Sequence, residues 1–400
     1  MPIDKRIQSC ADFQKNGVNI PAKVAIVHDW LNGMRGGEIV FEAILDLFPN
    51  ADVFTLIYEP RKLSGTLREK LAKRNLKVSW LNYLLFTRKN YRQLLPILPW
   101  VMRRFDLYPY DLIISSSHCV AKGVKKRPGA FHLSYIHAPM RYMWDRFPDY
   151  FGRARVGFWI HLAARMLRPY LRYWDKKTAS PKRVDTIATN SNFIGDQIKR
   201  CYGRESTTVY PFANLERFSR TKVSGNFYLM VGAFAPYKKT ELAILAFARM
   251  GLPLKIVGKG QDEERLHALK KKIGARNIEF LVRPTNEKIE QLYSECKAFI
   301  FPGKEDFGIT PLEAMAAGAP VIAFGEGGAC ETVTAQTGVL FHPQSIEALC
   351  EAVLDIETGR KYFDPNACRQ RAQIFKKSRF EAELLNLLPL RFQNPPDFKK

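Results

Sequence analysis

No stretch of this 400-residue chain approaches the roughly 20 apolar residues that span a bilayer, so no transmembrane helix is expected. Met1 to Pro21 is polar, carries Asp4, Lys5, Arg6 and Lys15, and has no apolar core, so it does not read as a secretory signal. The seven cysteines, at 10, 119, 201, 296, 330, 350 and 368, are scattered and contain no C-x-x-C pair. That argues against a disulfide framework and a zinc site, and fits reduced thiols in a cytoplasmic protein. Acidic residues are few, 39 against 62 Lys and Arg. The shortage is uneven. Residues 1–215 hold 35 basic against 17 acidic residues, and residues 216–400 hold 27 against 22. A basic first half implies an anionic partner: nucleic acid, anionic lipid or a phosphorylated substrate. Helix-turn-helix, RNP and zinc-finger patterns are all missing, so nucleic acid is the weakest of the three.

What is present is a globular chain, 46% apolar and long enough for two domains. Short β-branched runs alternate with helical patterns. Strands are expected at Val24–His28, Val53–Ile57, Leu112–Ser115, Leu133–His137 and Thr186–Thr189. The pattern restarts at Phe227–Val231 and continues through Leu254–Val257, Ile278–Leu281, Ala298–Phe301 and Val321–Ala323. Helical patterns fall between, as at Glu38–Leu47, Thr240–Arg249, Asp262–Lys271 and Ile289–Cys296. Such alternation means α/β architecture with parallel sheets covered on both faces. The turn-rich stretch Tyr210–Gly225 reads as a linker between two Rossmann-like domains. The division expected is a polar extension at 1–20, domains at 21–215 and 222–378, and a final helix and tail at 379–400. Ligands in such folds bind beyond the carboxyl ends of the strands.

The most informative segment is Pro-Gly-Lys-Glu-Asp-Phe-Gly-Ile-Thr-Pro-Leu-Glu, residues 302–313. Glu305 and Glu313 flank a glycine turn that opens a helix. Thr310 is a good N-cap and Pro311 suits the first helical position. The amides from Gly308 to Leu312 then lie at the positive end of a helix dipole, which holds an anion, phosphate above all, with Phe307, Gly308, Ile309 and Thr310 as the binding candidates. Carboxylates on either side suit hydroxyls attached to that phosphate, a ribose at one end and a sugar at the other. A second reading of Glu313 stands beside this one: Thr310-x-x-Glu313 is a capping box, in which Glu313 does nothing but reach back to the N-cap amide.

Glu305-x7-Glu313 followed by Ala-Met-Ala-Ala-Gly-Ala-Pro-Val-Ile-Ala resembles the donor-site signature of glycosyltransferase family 4. The resemblance covers about residues 23–385 and is densest at 186–340. It implies a GT-B fold, with two Rossmann-like domains facing across a cleft and a C-terminal helix, about Arg379–Leu388, crossing back to the N-domain. It also implies a nucleotide-diphosphate sugar as donor, with the anomeric configuration retained. Within that frame Glu313 would hold the ribose and Glu305 the donor sugar. Gly36 and Gly37, in Gly33-Met-Arg-Gly36-Gly37-Glu38, would sit against the diphosphate; a plain strand-to-helix turn is the alternative. Gly258 and Arg283 match the places that hold the nucleotide base.

Tyr237-Lys238-Lys239 lies at the mouth of a strand. A fixed cation there would offset the charge developing on a leaving diphosphate. The chain contains no Asp-x-Asp, so that task falls to lysine and helix dipole, with no metal or other cofactor expected. Which of Lys238 and Lys239 contacts phosphate stays open, as does the reading of both as solvated surface. His137-Ala-Pro-Met-Arg-Tyr, followed by Trp144-Asp145, resembles a stretch of the mannosyltransferases of lipopolysaccharide and capsule assembly. His137 would then face the transferred sugar. Ser191 reads mainly as a helix cap, and Gly327-Gly328-x-x-Glu331 as a helix start or a further family turn. Arg153–Trp174 carries His161, Arg165, Arg168 and Arg172 along one helical stripe, and Trp80–Phe105 has a similar mixture. Each is either a basic amphipathic helix lying on anionic headgroups or core packing with its arginines in solvent.

The expectation is a metal-independent, retaining hexosyltransferase, peripheral at the cytoplasmic membrane face. It would move mannose from GDP-mannose onto a lipid-linked saccharide, with no nucleic-acid partner. The alternatives are a GT-B nucleotide-sugar epimerase and a non-catalytic basic module that binds lipid or nucleic acid.

Overall fold

The apolar runs form two parallel sheets. The structure, a computed structural model, describes residues 22–84, 94–218, 220–223 and 225–393. The expected 1–20 extension, residues 85–93 of the Trp80–Phe105 stretch and the end of the tail lie outside the described residues. The first sheet contains β1 (Val24–His28), β2 (Asp52–Thr55), β3 (Leu76–Val78), β4 (Leu112–Ser117), β5 (Phe131–Ile136), β6 (Thr186–Thr189) and β7 (Thr207–Thr208). Its spatial order is β3-β2-β1-β4-β5-β6-β7. The second contains β8 (Tyr228–Val231), β9 (Leu254–Val257), β10 (Ile278–Leu281), β11 (Phe299–Phe301), β12 (Val321–Phe324) and β13 (Gly338–Phe341), in the order β10-β9-β8-β11-β12-β13.

Both faces of each sheet are covered, which is why the strands read as unbroken apolar runs. Ala25 and Val27 of β1 enter one core cluster while Ile26 enters the other. Leu229 and Tyr228 of β8 divide between the two clusters of the second sheet in the same way. Chain order reverses between β1 and β4, and again between β8 and β11. A crevice opens at the carboxyl ends of such neighbours, so each sheet supplies one wall of a ligand site. Three strands escaped the sequence pattern. β3 is Leu-Lys-Val and β7 is two threonines, both at or near an edge and too short to show a period of two. β13 opens on Gly338 and lies on the outer edge of the second sheet.

The chain does cross back. The helix Lys377–Asn386 buries Phe380 and Leu384 among Phe41, Ile44 and Tyr135 of the N-domain, and Leu388 and Phe392 follow into the same cluster. Lys377 pairs with Asp46 at 2.6 Å. The C-terminal segment is therefore part of the N-domain core.

The helix Arg153–Thr178, kinked at Gly157 (φ 72°), corrects one expectation. Its basic stripe faces the protein. Arg168 Nε and Arg172 Nε both donate to the Met143 carbonyl at 2.8 Å, and their guanidinium groups cover Phe147 and Trp144. His161 Nδ1 lies 2.6 Å from the Phe151 carbonyl. Of the stripe only Arg165 is exposed. The physical reason is the loop 143–151: its free carbonyls need donors, and arginine reaches them while laying its stem on aromatic rings.

Phe380→Ala should leave a ring-sized void in the N-domain and cost about 3–5 kcal/mol. Chemical denaturation of the purified variant checks this; a loss below ~1 kcal/mol would mean that the returning helix is only loosely docked.

Candidate active site

Glycines bring the site's charges together. A methyl on Gly303 would lie 2.5 Å from the Tyr237 carbonyl and 2.8 Å from Lys238 Cα. Only glycine lets the loop after β11 rest against the turn after β8, and that contact places Lys238 in an ion pair with Glu305. Both side chains are mostly buried. On the other side of the loop, a methyl on Gly328 would lie 2.3 Å from Phe307 Cα, and Gly328 N–H donates to the Glu305 carbonyl at 2.9 Å. Lys239 is exposed, in a left-handed conformation (φ 54°), and begins the helix Thr240–Met250. Lys238 is the lysine that the fold directs into the site.

The helix after this loop is Ile309–Ala316, with Gly308 as its N-cap at φ 92°, a conformation that favours glycine. Thr310 is thus the second helical residue and Pro311 the third, two positions later than their chemistry suggested. Proline is tolerated anywhere in the first turn, where the amide has no intrahelical acceptor. The Thr310–Glu313 capping box does not form. Glu313 instead accepts a hydrogen bond from Tyr293 Oη at 2.9 Å, and burial pushes its carboxyl up to about 7. The amides of Ile309 and Thr310 remain as first-turn donors.

The N-domain wall is built around β1, β4 and β5. Gly36 and Gly37 open the helix Gly36–Leu47. A methyl on Gly36 would lie 3.2 Å from Ile309 Cδ1, and one on Gly37 would lie 3.8 Å from His137 Nε2. The positive ends of two helices, one from each domain, therefore approach each other beside His137. His137 follows β5; its Nε2 lies 2.8 Å from Ser116 Oγ, which lies 3.1 Å from His28 Nδ1. Burial, with His118 and His28 nearby, holds His137 well below the usual histidine range, so its imidazole is neutral at neutral pH. Asn190 Nδ2 donates to the His137 carbonyl at 3.0 Å and fixes the backbone there.

Three further expected site residues are placed differently from these. The Phe307 ring is buried against Tyr210 and Phe375, so only its backbone borders the cleft. The space at Gly258 is taken by the chain itself, since a methyl there would lie 2.0 Å from the Gly232 carbonyl. Arg283 is exposed in a left-handed turn (φ 48°) after β10, the outermost strand of its sheet.

Sequence reasoning missed the contacts that hold the domains together. Arg141 pairs with Asp306 across the cleft, and Arg146 donates to the Lys304 carbonyl at 2.6 Å. Glu331 accepts from the Asn192 and Phe193 amides at 2.8 and 2.9 Å. The helix Asn192–Tyr202 has no acid in its own first turn, and Glu331 of the other domain supplies one. Ser191 caps the same helix, accepting from Ile194 N–H at 3.2 Å. Asp29 was also missed. It is wholly buried and accepts from four consecutive amides, His118 to Ala121, fixing the loop after β4. The only sequence hint was an aspartate directly after an apolar strand.

Glu313 yields a prediction on stability. A carboxyl raised to about 7 holds its proton longer when folded than when unfolded, so stability falls as pH rises from about 4.5 to 7. Glu313→Gln removes that loss. The variant should melt several degrees above wild type at pH 8, with the gap closing below pH 4.5; melting curves across that range check it, and a constant gap contradicts it.

Residues 212–375 match the family described as glycosyl transferases group 1. The O-antigen chain mannosyltransferase C of Escherichia coli is 28% identical over 56% of this chain and 64% of its own length. The alpha-1,3/1,6-mannosyltransferase ALG2 of Dictyostelium discoideum is 30% identical over 40% of this chain and 50% of its own. The chain thus spans between half and just under two thirds of these relatives. Among solved structures, HepE of Anabaena, crystallised in complex with UDP, aligns over 92% of this chain and all of its own, with a TM-score of 0.66 at 17% identity. At that identity it speaks to fold alone. Residues 212–375 thus resemble a glycosyl transferases group 1 domain, and the chain that carries them has the GT-B fold.

Proposed function

We propose that the protein is a retaining hexosyltransferase that moves mannose from GDP-mannose onto a lipid-linked saccharide without a metal ion. One observation carries this reading: the N-termini of the helices Gly36–Leu47 and Ile309–Ala316 converge beside His137, and Lys238 is held by Glu305 in the loop that leads into the second helix. Two positive helix ends and a lysine suit a diphosphate. The relatives named as mannosyltransferases support the choice of sugar, and the absence of Asp-x-Asp supports metal independence.

In the resting site Lys238 is neutralised by Glu305. On donor binding Lys238 turns to the diphosphate, and Glu305 is released to accept hydrogen bonds from the sugar hydroxyls. Glu313 accepts from the ribose hydroxyls at the far side of the helix end. As the glycosidic bond breaks, negative charge grows on the leaving phosphate, and Lys238 with the Ile309 and Thr310 amides is already in place to hold it. His137, kept neutral by burial, accepts a hydrogen bond from the sugar without repelling a developing positive charge at the anomeric carbon.

Calorimetric titration tests the donor site. GDP should bind wild type, and Glu313→Ala should weaken it at least tenfold while the fold survives; unchanged affinity would sink the ribose role. Lys238→Ala should lower turnover about 10²–10³-fold, the usual effect of removing one transition-state donor. Transfer should persist in EDTA. Activity lost on chelation and restored by Mn²⁺ or Mg²⁺ would contradict metal independence.

A further inference from the structure

The helix Arg153–Thr178 turns its arginines inward and leaves a broad apolar face outside. Trp159 is 76% exposed, Met166 74%, Tyr173 63% and Tyr170 52%, with Ile160 and Leu162 beside them. At about 100° per residue, positions 159, 162, 166, 170 and 173 fall within one stripe roughly 100° wide. Core packing explains a different side: Ala164, Leu171 and Trp174 are buried in the N-domain cluster. A monomeric soluble protein seldom exposes this many large apolar side chains in one patch.

We infer that this stripe is a docking surface for an anionic lipid bilayer. The composition favours bilayer over protein. Trp and Tyr accompany Leu, Ile and Met, the mixture that settles at the headgroup level. Between Arg153 and Trp174 there are five arginines and no acid. The first acid, Asp175, is buried and paired with Lys122. Arg165 is exposed beside the stripe, and Lys176 and Lys177 are exposed at the helix end. Two copies of this chain meeting through the stripe would bring like charges together, whereas anionic headgroups complement them. The helix does not cross the bilayer; among the described residues none is long and apolar enough for that.

Docking there has a purpose at the site, resting on the lipid-linked acceptor proposed above. Arg168 and Arg172 hold the carbonyls of Met143 and Trp144, in the loop that begins at His137. The stripe thus lies on the back of the cleft's acceptor wall. A helix lying in the headgroup layer brings that wall to the bilayer surface, where a lipid-linked sugar resides.

The test is co-sedimentation with vesicles of phosphatidylcholine and phosphatidylglycerol at low salt. Wild type should pellet. Trp159→Ser/Met166→Ser/Tyr173→Ser should pellet at least tenfold less, with its melting temperature and GDP affinity unchanged, because the three side chains are exposed and far from the donor-binding loop. Arg165→Glu should shift binding to lower salt. Trp fluorescence offers a second readout on near-native protein: vesicles should blue-shift wild type, and Trp159→Phe should remove most of the shift. Wild type left in the supernatant, a triple variant that pellets equally, or a dimer in solution that the triple variant abolishes without any vesicle binding would each overturn the bilayer assignment. Failure of GDP to bind would instead overturn the donor reading and leave this one standing.

Discussion

Residues 302–308 form a loop with almost no freedom, and the cleft depends on it. Gly303 lies against the Tyr237–Lys238 backbone, and Gly328 lies against Phe307, each too close for a Cβ. Between those clamps, successive residues are aimed in different directions. The Lys304 carbonyl faces Arg146, Glu305 faces Lys238, and Asp306 faces Arg141 while its carbonyl accepts from Ser191 Oγ at 2.6 Å. Gly308 then turns the chain into the helix whose amides border the site. The placement of charge and the domain contact are thus set by the same few peptides. A side chain added at either clamp would shift both together.

The two domains contribute unlike things. The second supplies charge: Lys238, Glu305, Glu313 and a helix end. The first supplies a rigid wall, in which His137 is fixed by Ser116 and Asn190, and Asp29 ties down the neighbouring loop. Burial keeps His28 and His137 uncharged; His28 is lowered to about 3 by desolvation and by nearby His118. The returning helix Lys377–Asn386 and the Glu331 cap join the walls at two separate places, so the cleft has a defined shape before any ligand enters.

Much of this was legible in the sequence. Central strands such as Tyr228–Val231 and Val321–Phe324 appear within a residue of where their apolar runs placed them, because a strand buried on both faces must be apolar throughout. Glu305 precedes the Gly308 turn and Glu313 lies on the helix that the turn opens, as the motif implied. Other features were not legible for physical reasons. Thr310 has good capping chemistry, yet the clamp around Glu305–Gly308 starts the helix two residues earlier. The arginine stripe has the look of a solvated face, but nothing local reveals that unpaired carbonyls at 143–144 wait opposite it. The partnership of Glu331 with the helix Asn192–Tyr202 spans 139 residues of sequence and leaves no local signal.

At the centre of the account stands the Lys238–Glu305 pair as the closed state of an anion site. Comparing GDP affinity by calorimetry in wild type, Glu305→Gln and Lys238→Ala tests it directly. Glu305→Gln frees Lys238 and should tighten GDP severalfold while abolishing transfer; Lys238→Ala should weaken GDP. Weaker GDP binding in both variants, or no change in either, would contradict the account.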